Sequence, residues 1–329
     1  MEENDVTLSV IIPTYDRPEH LRRCLQSILK NDLGSVREIL VIVNDAGPLA
    51  REVVSDVNGH DPRLQVIEIP KSSRGRSRNM GLSKASGRFC YFLDDDVVLP
   101  PDTLKNLKGK LESYPSLGIL GGPNKTPPDG SLFEICAGFV LGSLFGMWKM
   151  RARVKGTEKD EWVDERSLQL CNLCIRKDLL SGDSPFDERL ASAEENLLLI
   201  RLQKAGHRQM MSPDISVYHR RRKNWGGFCL QIFYGAAGRF QMAWLRPSSF
   251  SPVFFVPTAF LIYILSLPFW HSPSALIPLA AYGALLFGES VRFYAENKDL
   301  KGALCVLILF PSCHLSYGLG FLLGGIFWR

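Results

Sequence analysis

From Pro247 to Gly288, and again from Gly302 to Trp328, the chain carries no Asp, Glu, Lys or Arg. A helix in a soluble domain turns at least one face to water and keeps charge there, so two such stretches restrict what the C-terminal quarter can become. Crossing a hydrocarbon core of about 30 Å takes about 20 mostly apolar residues. Val253–Trp270 has that length, and Ser274–Glu289 is somewhat short. Ala303–Trp328 either spans or bends at Pro311. The sequence therefore predicts a membrane-anchored protein; a buried helical subdomain is the alternative.

Nearly all the charged residues lie in the first three quarters of the chain, and the formal net charge of +5 does not by itself imply a nucleic-acid partner. The 46% hydrophobic content excludes a disordered chain. The acidic start Met1-Glu2-Glu3-Asn4-Asp5 lacks the basic and long apolar regions of a signal peptide, so the first 246 residues are expected to stay cytosolic. Arg220, Arg221, Arg222, Lys223, Arg239 and Arg246 precede the first apolar segment, as basic residues do on the cytoplasmic side of a membrane. Arg292, Lys298 and Lys301 mark the return. Eight cysteines in this setting argue against a disulfide framework. Cys171 and Cys174 have Cys-x-x-Cys spacing, but no second pair accompanies them. They read as two small apolar side chains on a strand.

Leu8–Ile12 is a short apolar strand ending in Pro13-Thr14-Tyr15-Asp16, and a helix with Leu21, Cys24, Leu25, Ile28 and Leu29 on one face follows. Asp16 and Glu19 have capping-box spacing around Pro18. Ile39–Val43 is an unbroken aliphatic run, expected of a strand covered on both faces, and it ends in Asn44-Asp45-Ala46-Gly47. Leu64–Ile69 makes a third strand. A helix over Arg76–Ser86 then leads to the strand Phe89–Leu93, which ends in Asp94-Asp95-Asp96. The alternation predicts an α/β domain with a mostly parallel sheet, whose ligand crevice lies beyond the carboxyl ends of the strands. Three adjacent carboxylates repel one another, and a divalent cation shared with substrate phosphates relieves that repulsion. A solvated acidic turn is the plainer reading.

In order along the chain, the segments Ser9–Arg17, Asn44–Gly47, Arg78–Gly81, Phe92–Asp96, Cys171–Arg176, Phe186–Glu188, Glu194–Leu202 and Val217–His219 resemble the successive motifs of family 2 glycosyltransferases. The resemblance covers about the first 220 residues. It implies a GT-A fold, a nucleotide-diphosphate sugar donor, Mg2+ or Mn2+ as cofactor, and inversion at the anomeric carbon. Pro13, Thr14, Tyr15 and Arg17 would then line the nucleotide pocket, with Asp45 reading the base and Arg78 approaching the diphosphate. Asp94 and Asp96 would form the DxD-type pair. Asp96 would be the direct metal ligand and His219 would lie near it, while Asp94 and Asp95 would face the donor. The family's general base, usually in a Glu-Asp pair, falls on Glu195. The pair here is Glu194-Glu195, which leaves the choice between the two open. The usual paired aspartates of the second strand are replaced by Asn44-Asp45.

Sugar transfer needs a stabilised leaving diphosphate and an acceptor hydroxyl relieved of its proton. Ser192-Ala193-Glu194-Glu195 also fits a capping box for a helix over Asn196–Ala205 that ends at Gly206, so a structural role for Glu195 competes with a catalytic one. His219 could equally be an ordinary strand-end histidine. Phe228, Ile232, Phe233, Ala236, Phe240 and Trp244 give one helix an apolar, aromatic face beside the basic run. Such a helix can rest in the headgroup layer or be an ordinary core helix. Leu132–Arg166, with Trp148 and Trp162, is expected to shape the acceptor site.

The expected organisation is a cytosolic catalytic domain over 1–225, an interface helix over 226–246 and a membrane region over 247–329. The expected activity is transfer to a lipid-linked or surface-glycan acceptor at the cytosolic face of the cell membrane, without nucleic acid. A processive polysaccharide synthase is the alternative among enzymes, although Gln231–Gly235 does not match the Gln-x-x-Arg-Trp-like motif of such members. A non-catalytic nucleotide-sugar-binding membrane protein is the alternative outside them. The sequence leaves the sugar and the oligomeric state open.

Overall fold

The computed structural model describes residues 5–45, 48–58, 61–182, 184–190 and 192–326. Met1–Asn4, Ala46-Gly47 and the end of the last apolar stretch at Phe327–Arg329 lie outside the described residues. The chain divides into two compact units. One comprises residues 1–127 and 152–220, and the other residues 128–151 and 221–329.

The first unit alternates strand and helix: β1 (Leu8–Thr14), α1 (Pro18–Leu29), β2 (Val36–Asn44), α2 (Pro48–Asn58), β3 (Leu64–Ile69), α3 (Arg74–Lys84), β4 (Phe89–Leu93). Then come β5 (Val97–Val98), α4 (Thr103–Ser113), β6 (Ile119–Gly121) and β7 (Asn124–Lys125). The helices α5 (Leu132–Leu141) and α6 (Leu144–Met147) belong to the second unit. The first unit resumes with α7 (Ala152–Lys155), β8 (Glu161–Val163), β9 (Asn172–Arg176), α8 (Glu194–Lys204), β10 (Gln209–Met211) and β11 (Val217–His219).

An eight-stranded sheet runs in the order β3-β2-β1-β4-β9-β6-β10-β8. Its first four strands are parallel, while β9 runs antiparallel to both β4 and β6. Apolar side chains cover both faces of the sheet, which is why its central strands read as continuous hydrophobic runs. Cys171 and Cys174 are buried among them. The strands expected at Leu64–Ile69 and Phe89–Leu93 keep those bounds, and β1 and β2 extend beyond the runs that predict them. A second, three-stranded sheet pairs β11 with β5 and β7, setting His219 opposite Val97.

Neither expected capping residue occupies the cap position. The residue preceding α1 is Arg17, with no side-chain cap, and Asp16 takes φ 45° instead. Before α8 stands Ala193 at φ 68°, again without a side-chain cap. Glu194 and Glu195 therefore occupy the first turn of α8.

One buried carboxylate ties the sheet to the α3–β4 turn. Glu38 of β2 accepts from Ser9 Oγ, from the Ser86 N–H at 2.7 Å and from Ser86 Oγ. Burial raises the pKa of such a group; here the hydrogen bonds outweigh it and hold the carboxyl below its ordinary value. A lowered folded-state pKa contributes stability that is present above the unfolded value and is lost as pH falls through the folded one. Glu38→Gln is expected to cost about 1–3 kcal/mol at pH 7. The gap to the wild type should close once pH drops below about 4, which thermal unfolding across a pH series would record.

In the second unit α5 and α6 join α9 (Trp225–Leu245), α10 (Val256–Ser266), α11 (Ile277–Asn297) and α12 (Leu300–Leu323). Among the described residues three helical segments are long and apolar enough to cross a membrane: Pro252–Phe269, Pro273–Asn297 and Leu300–Leu323. Pro311 does not end α12, which continues as one helix through it. The helix α12 packs against α5, α9, α10 and α11. Small residues let it approach closely, since a Cβ on Gly318 would meet the Pro257 carbonyl at 2.5 Å and one on Gly320 the Phe233 carbonyl at 2.2 Å. His314 links three elements. Its Nδ1 lies 2.9 Å from Tyr282 Oη, and its Nε2 lies 2.9 Å from the Phe145 carbonyl. Outward, Phe255, Val256, Leu265, Phe269, Leu285, Phe287 and Ile308 are exposed.

Candidate active site

The ends of β1 and β4 lie side by side because the two strands pair in parallel from Leu8–Phe89 to Ile11–Phe92. That register brings Thr14 and Arg17 onto the three aspartates. Thr14 Oγ1 donates to Asp95 Oδ2 at 2.7 Å. Arg17 Nη1 donates to Asp96 Oδ2 at 2.8 Å, and its Nη2 stands 2.6 Å from Asp95 Oδ1. From the small sheet, His219 Nε2 approaches Asp96 Oδ1 at 3.1 Å. Burial pushes the Asp95 carboxyl up to about 7, against the pull of Arg17. Asp96 is buried too, but His219 and Arg17 outweigh that burial and hold its carboxyl well below the usual carboxylate range.

The Arg78 side chain, buried on α3, connects this cluster to the glutamates. Its Nη2 donates to Asp94 Oδ1 at 3.0 Å and its Nη1 to Glu194 Oε1 at 2.5 Å. One guanidinium thus spans the end of β4 and the start of α8. Burial raises the Glu194 carboxyl above its ordinary value, with Arg78 opposing and Glu195 reinforcing the shift. Glu195, 8% exposed, has no such short partner: Arg153 Nη1 of α7 comes to 4.0 Å from its Oε1. Arg153 is itself held by the Arg166 and Glu165 carbonyls at 2.6 and 3.2 Å. Asn196, the next residue of α8, anchors that turn by donating to the Glu165 carbonyl at 2.8 Å.

Toward the sheet edge the site is more open. Tyr15 is 47% exposed, with Lys71 Nζ 5.8 Å from its ring centre. Asp45 is exposed at φ 70°, its N–H donating to the Ile69 carbonyl at 3.0 Å. Pro13 lies within β1, paired with Ile42. Asn44, in place of an aspartate, uses its amide on both sides: it donates to the Ser72 carbonyl at 2.9 Å and accepts from the Ser72 N–H at 2.8 Å. This clamp fixes the loop that leads into α3 and hence Arg78.

The residues present fit a divalent cation that takes most of its ligands from phosphate. His219 Nδ1 is buried without a hydrogen-bond partner, and Asp96 Oδ1 beside it faces only His219 Nε2 at 3.1 Å. Among the described residues no group of three His, Cys, Asp or Glu side chains forms a full protein cage. Magnesium held by one or two carboxylates plus substrate oxygens needs no such cage.

Residues 9–158 match the model of glycosyl transferase family 2. Over that stretch, less than half of its length, the chain is similar to members of that family. Over 220 residues it is 24% identical to the poly(ribitol-phosphate) β-N-acetylglucosaminyltransferase TarS of Staphylococcus aureus, covering 65% of this chain and 35% of that one. Over 105 residues it is 33% identical to the GalNAc(5)-diNAcBac-PP-undecaprenol β-1,3-glucosyltransferase of Campylobacter jejuni, covering 31% of this chain and 34% of that one. It therefore spans about a third of the length of these two curated relatives. A solved mannosyltransferase from Pyrobaculum calidifontis, in complex with GDP-mannose and Mn2+, shares its fold at a TM-score of 0.62 and 18% identity, covering 94% of this chain and 88% of that one. The fold is thus of the GT-A type that the sequence resemblance implies, a mostly parallel sheet with flanking helices followed by C-terminal apolar helices.

Two features of this site are not evident in the sequence. Arg153 lies far from any motif, in a four-residue helix without periodicity. The shared use of Arg78 by Asp94 and Glu194 depends on a separation of 116 residues closed only by the fold. For Asn44 a signal exists, because an amide both donates and accepts where a carboxylate only accepts.

Proposed function

We propose that the protein is an inverting, metal-dependent glycosyltransferase of the hexosyl type. It would move a sugar from a nucleotide-diphosphate donor to a lipid-linked or surface-glycan acceptor at the cytosolic face of the cell membrane. The observation that carries this reading is the Arg78 bridge, which joins the aspartate cluster and the glutamate pair into one site. A donor phosphate and an acceptor hydroxyl can then be served together. The solved neighbour's GDP-mannose and Mn2+, and the undecaprenol-linked substrate in the name of the Campylobacter relative, support the donor and acceptor classes. The three apolar helices support membrane attachment.

In this reading Pro13, Thr14, Tyr15, Arg17 and Asp45 receive the nucleotide, with Asp94 and Asp95 on the donor side. Asp96, with Asp94 and His219 beside it, would hold Mg2+ or Mn2+, whose charge would stabilise the departing diphosphate. Glu195 takes the proton from the acceptor hydroxyl, since its carboxylate is not committed to Arg78 as that of Glu194 is. Arg78 holds Asp94 and Glu194 in place through its two hydrogen bonds and acts as a positioning residue.

The test uses the full chain in detergent. A nucleotide sugar with Mn2+ is expected to raise the unfolding temperature, because a ligand that binds only the native state stabilises by mass action. Asp96→Asn should remove the metal-dependent part of that rise. A panel of nucleotide sugars that leaves the wild type unshifted, with or without metal, would contradict the proposal.

A further inference from the structure

Arg239 is the one charged residue between Trp225 and Leu245, the whole of α9, and it is only 3% exposed. A guanidinium stays protonated in any protein environment. Taking that charge out of water is costly unless it meets an anion. Here the partners are neutral. Arg239 Nη2 approaches Met150 Sδ at 3.6 Å, and the Phe254 ring centre lies 5.1 Å from the guanidinium carbon. Nη1 is buried with no hydrogen-bond partner. Among the described residues no carboxylate forms an ion pair with it. The ring contact offsets part of the burial cost but leaves a donor of the planar fork unused.

The surroundings narrow the kind of anion. Met150 belongs to the short helical turn Trp148–Arg151, in which Trp148 is 51% exposed and Lys149 and Arg151 are also exposed. An aromatic side chain among cations is the pattern of a membrane–water boundary. The rest of this unit consists of apolar helices. A ligand that satisfies both parts has a compact anionic head and a long apolar tail. Phosphate suits the head best, since the arginine fork matches its oxygens and binds them more strongly than a neutral acceptor.

We propose that Arg239 is the binding residue for the phosphate of a long-chain lipid phosphate. Resting on the function proposed above, this lipid is the carrier of the acceptor. Met150 and Phe254 shield the bound head group from water, and the boundary cations Lys149 and Arg151 draw it in.

The experiment titrates the full chain in neutral detergent with farnesyl phosphate, farnesol, inorganic phosphate and phosphatidylglycerol, following intrinsic tryptophan fluorescence. Farnesyl phosphate should bind, farnesol should not, and millimolar inorganic phosphate should compete. Arg239→Gln should weaken farnesyl phosphate binding about 10- to 100-fold, the worth of a lost charge-assisted hydrogen bond. Arg239→Lys should keep part of the affinity. If Arg239→Gln does not fold, the Arg239→Lys titration and retention of farnesyl phosphate by the wild type in native mass spectra decide the matter. Equal binding of farnesol and farnesyl phosphate, or an affinity unchanged within about twofold on losing the guanidinium, overturns the site. Loss of phosphatidylglycerol binding alone overturns the carrier assignment. The metal-dependent shift by nucleotide sugar should be the same in Arg239→Gln as in the wild type. If that shift is missing in both while farnesyl phosphate binds, the glycosyltransferase reading fails and the lipid-phosphate site stands.

Discussion

Replacing Glu195 by glutamine is expected to lower the turnover of sugar transfer about 10²- to 10⁴-fold while leaving donor binding intact. The amide keeps the size and most of the packing of an 8%-exposed side chain but cannot accept a proton. Glu194→Gln makes the contrast. Glu194 Oε1 is 2.5 Å from Arg78 Nη1, so its loss disturbs an ion pair and should show mainly as lowered stability. A Glu194→Gln enzyme with the larger loss of turnover and an unchanged unfolding temperature would exchange the two assignments. Arg153 offers a further check. Its guanidinium lies 4.0 Å from Glu195 Oε1, so Arg153→Gln should lower turnover, but by less than Glu195→Gln does.

Removing the shared cation should have the largest effect on the fold. Arg78→Met leaves the Glu194 carboxylate, 3% exposed, without its partner and also frees Asp94. Breaking a buried pair by deleting one member costs about 3–5 kcal/mol, because the remaining charge is stranded. At about 2–4 °C per kcal/mol for a unit of this size, the unfolding temperature should fall by about 6–20 °C. Adding Glu194→Gln to Arg78→Met should recover part of the loss, since the amide has no charge to strand. A double variant no more stable than Arg78→Met would show that the guanidinium acts through packing instead.

The sequence reveals much of the first unit because its strands are buried on both faces. Ile39–Val43 and Phe89–Leu93 must then be apolar without interruption, and the polar residues that follow each one mark where the strand leaves the sheet. The same logic locates Thr14, Asp95 and Asp96 together, because parallel neighbours end on the same side. Helix starts are less legible. Asp16 and Ser192 have the right chemistry and spacing for caps, yet Arg17 and Ala193 occupy the cap positions, and backbone conformation, not side-chain type, decides that. The segment 132–147 is the largest reading that sequence spacing does not give. The ten residues of α5 are too few to suggest a membrane span, and the glycine-rich chain around Gly138, Gly142 and Gly146 hides their helical character. The region expected to shape an acceptor site proves, from 132 to 151, to fold with the C-terminal helices.

That detour gives the polypeptide an unusual route during synthesis. Residues 128–151 leave the ribosome long before α12, against which α5 packs, has been made. Meanwhile Phe139, which packs on Phe293 and Phe310, and Phe145, which packs on Tyr282 and His314, must wait for sequence about 150 residues further on. A nascent chain halted at residue 220 would therefore contain a finished sheet and an orphaned greasy segment, and chaperone capture or aggregation is the natural fate of such a fragment.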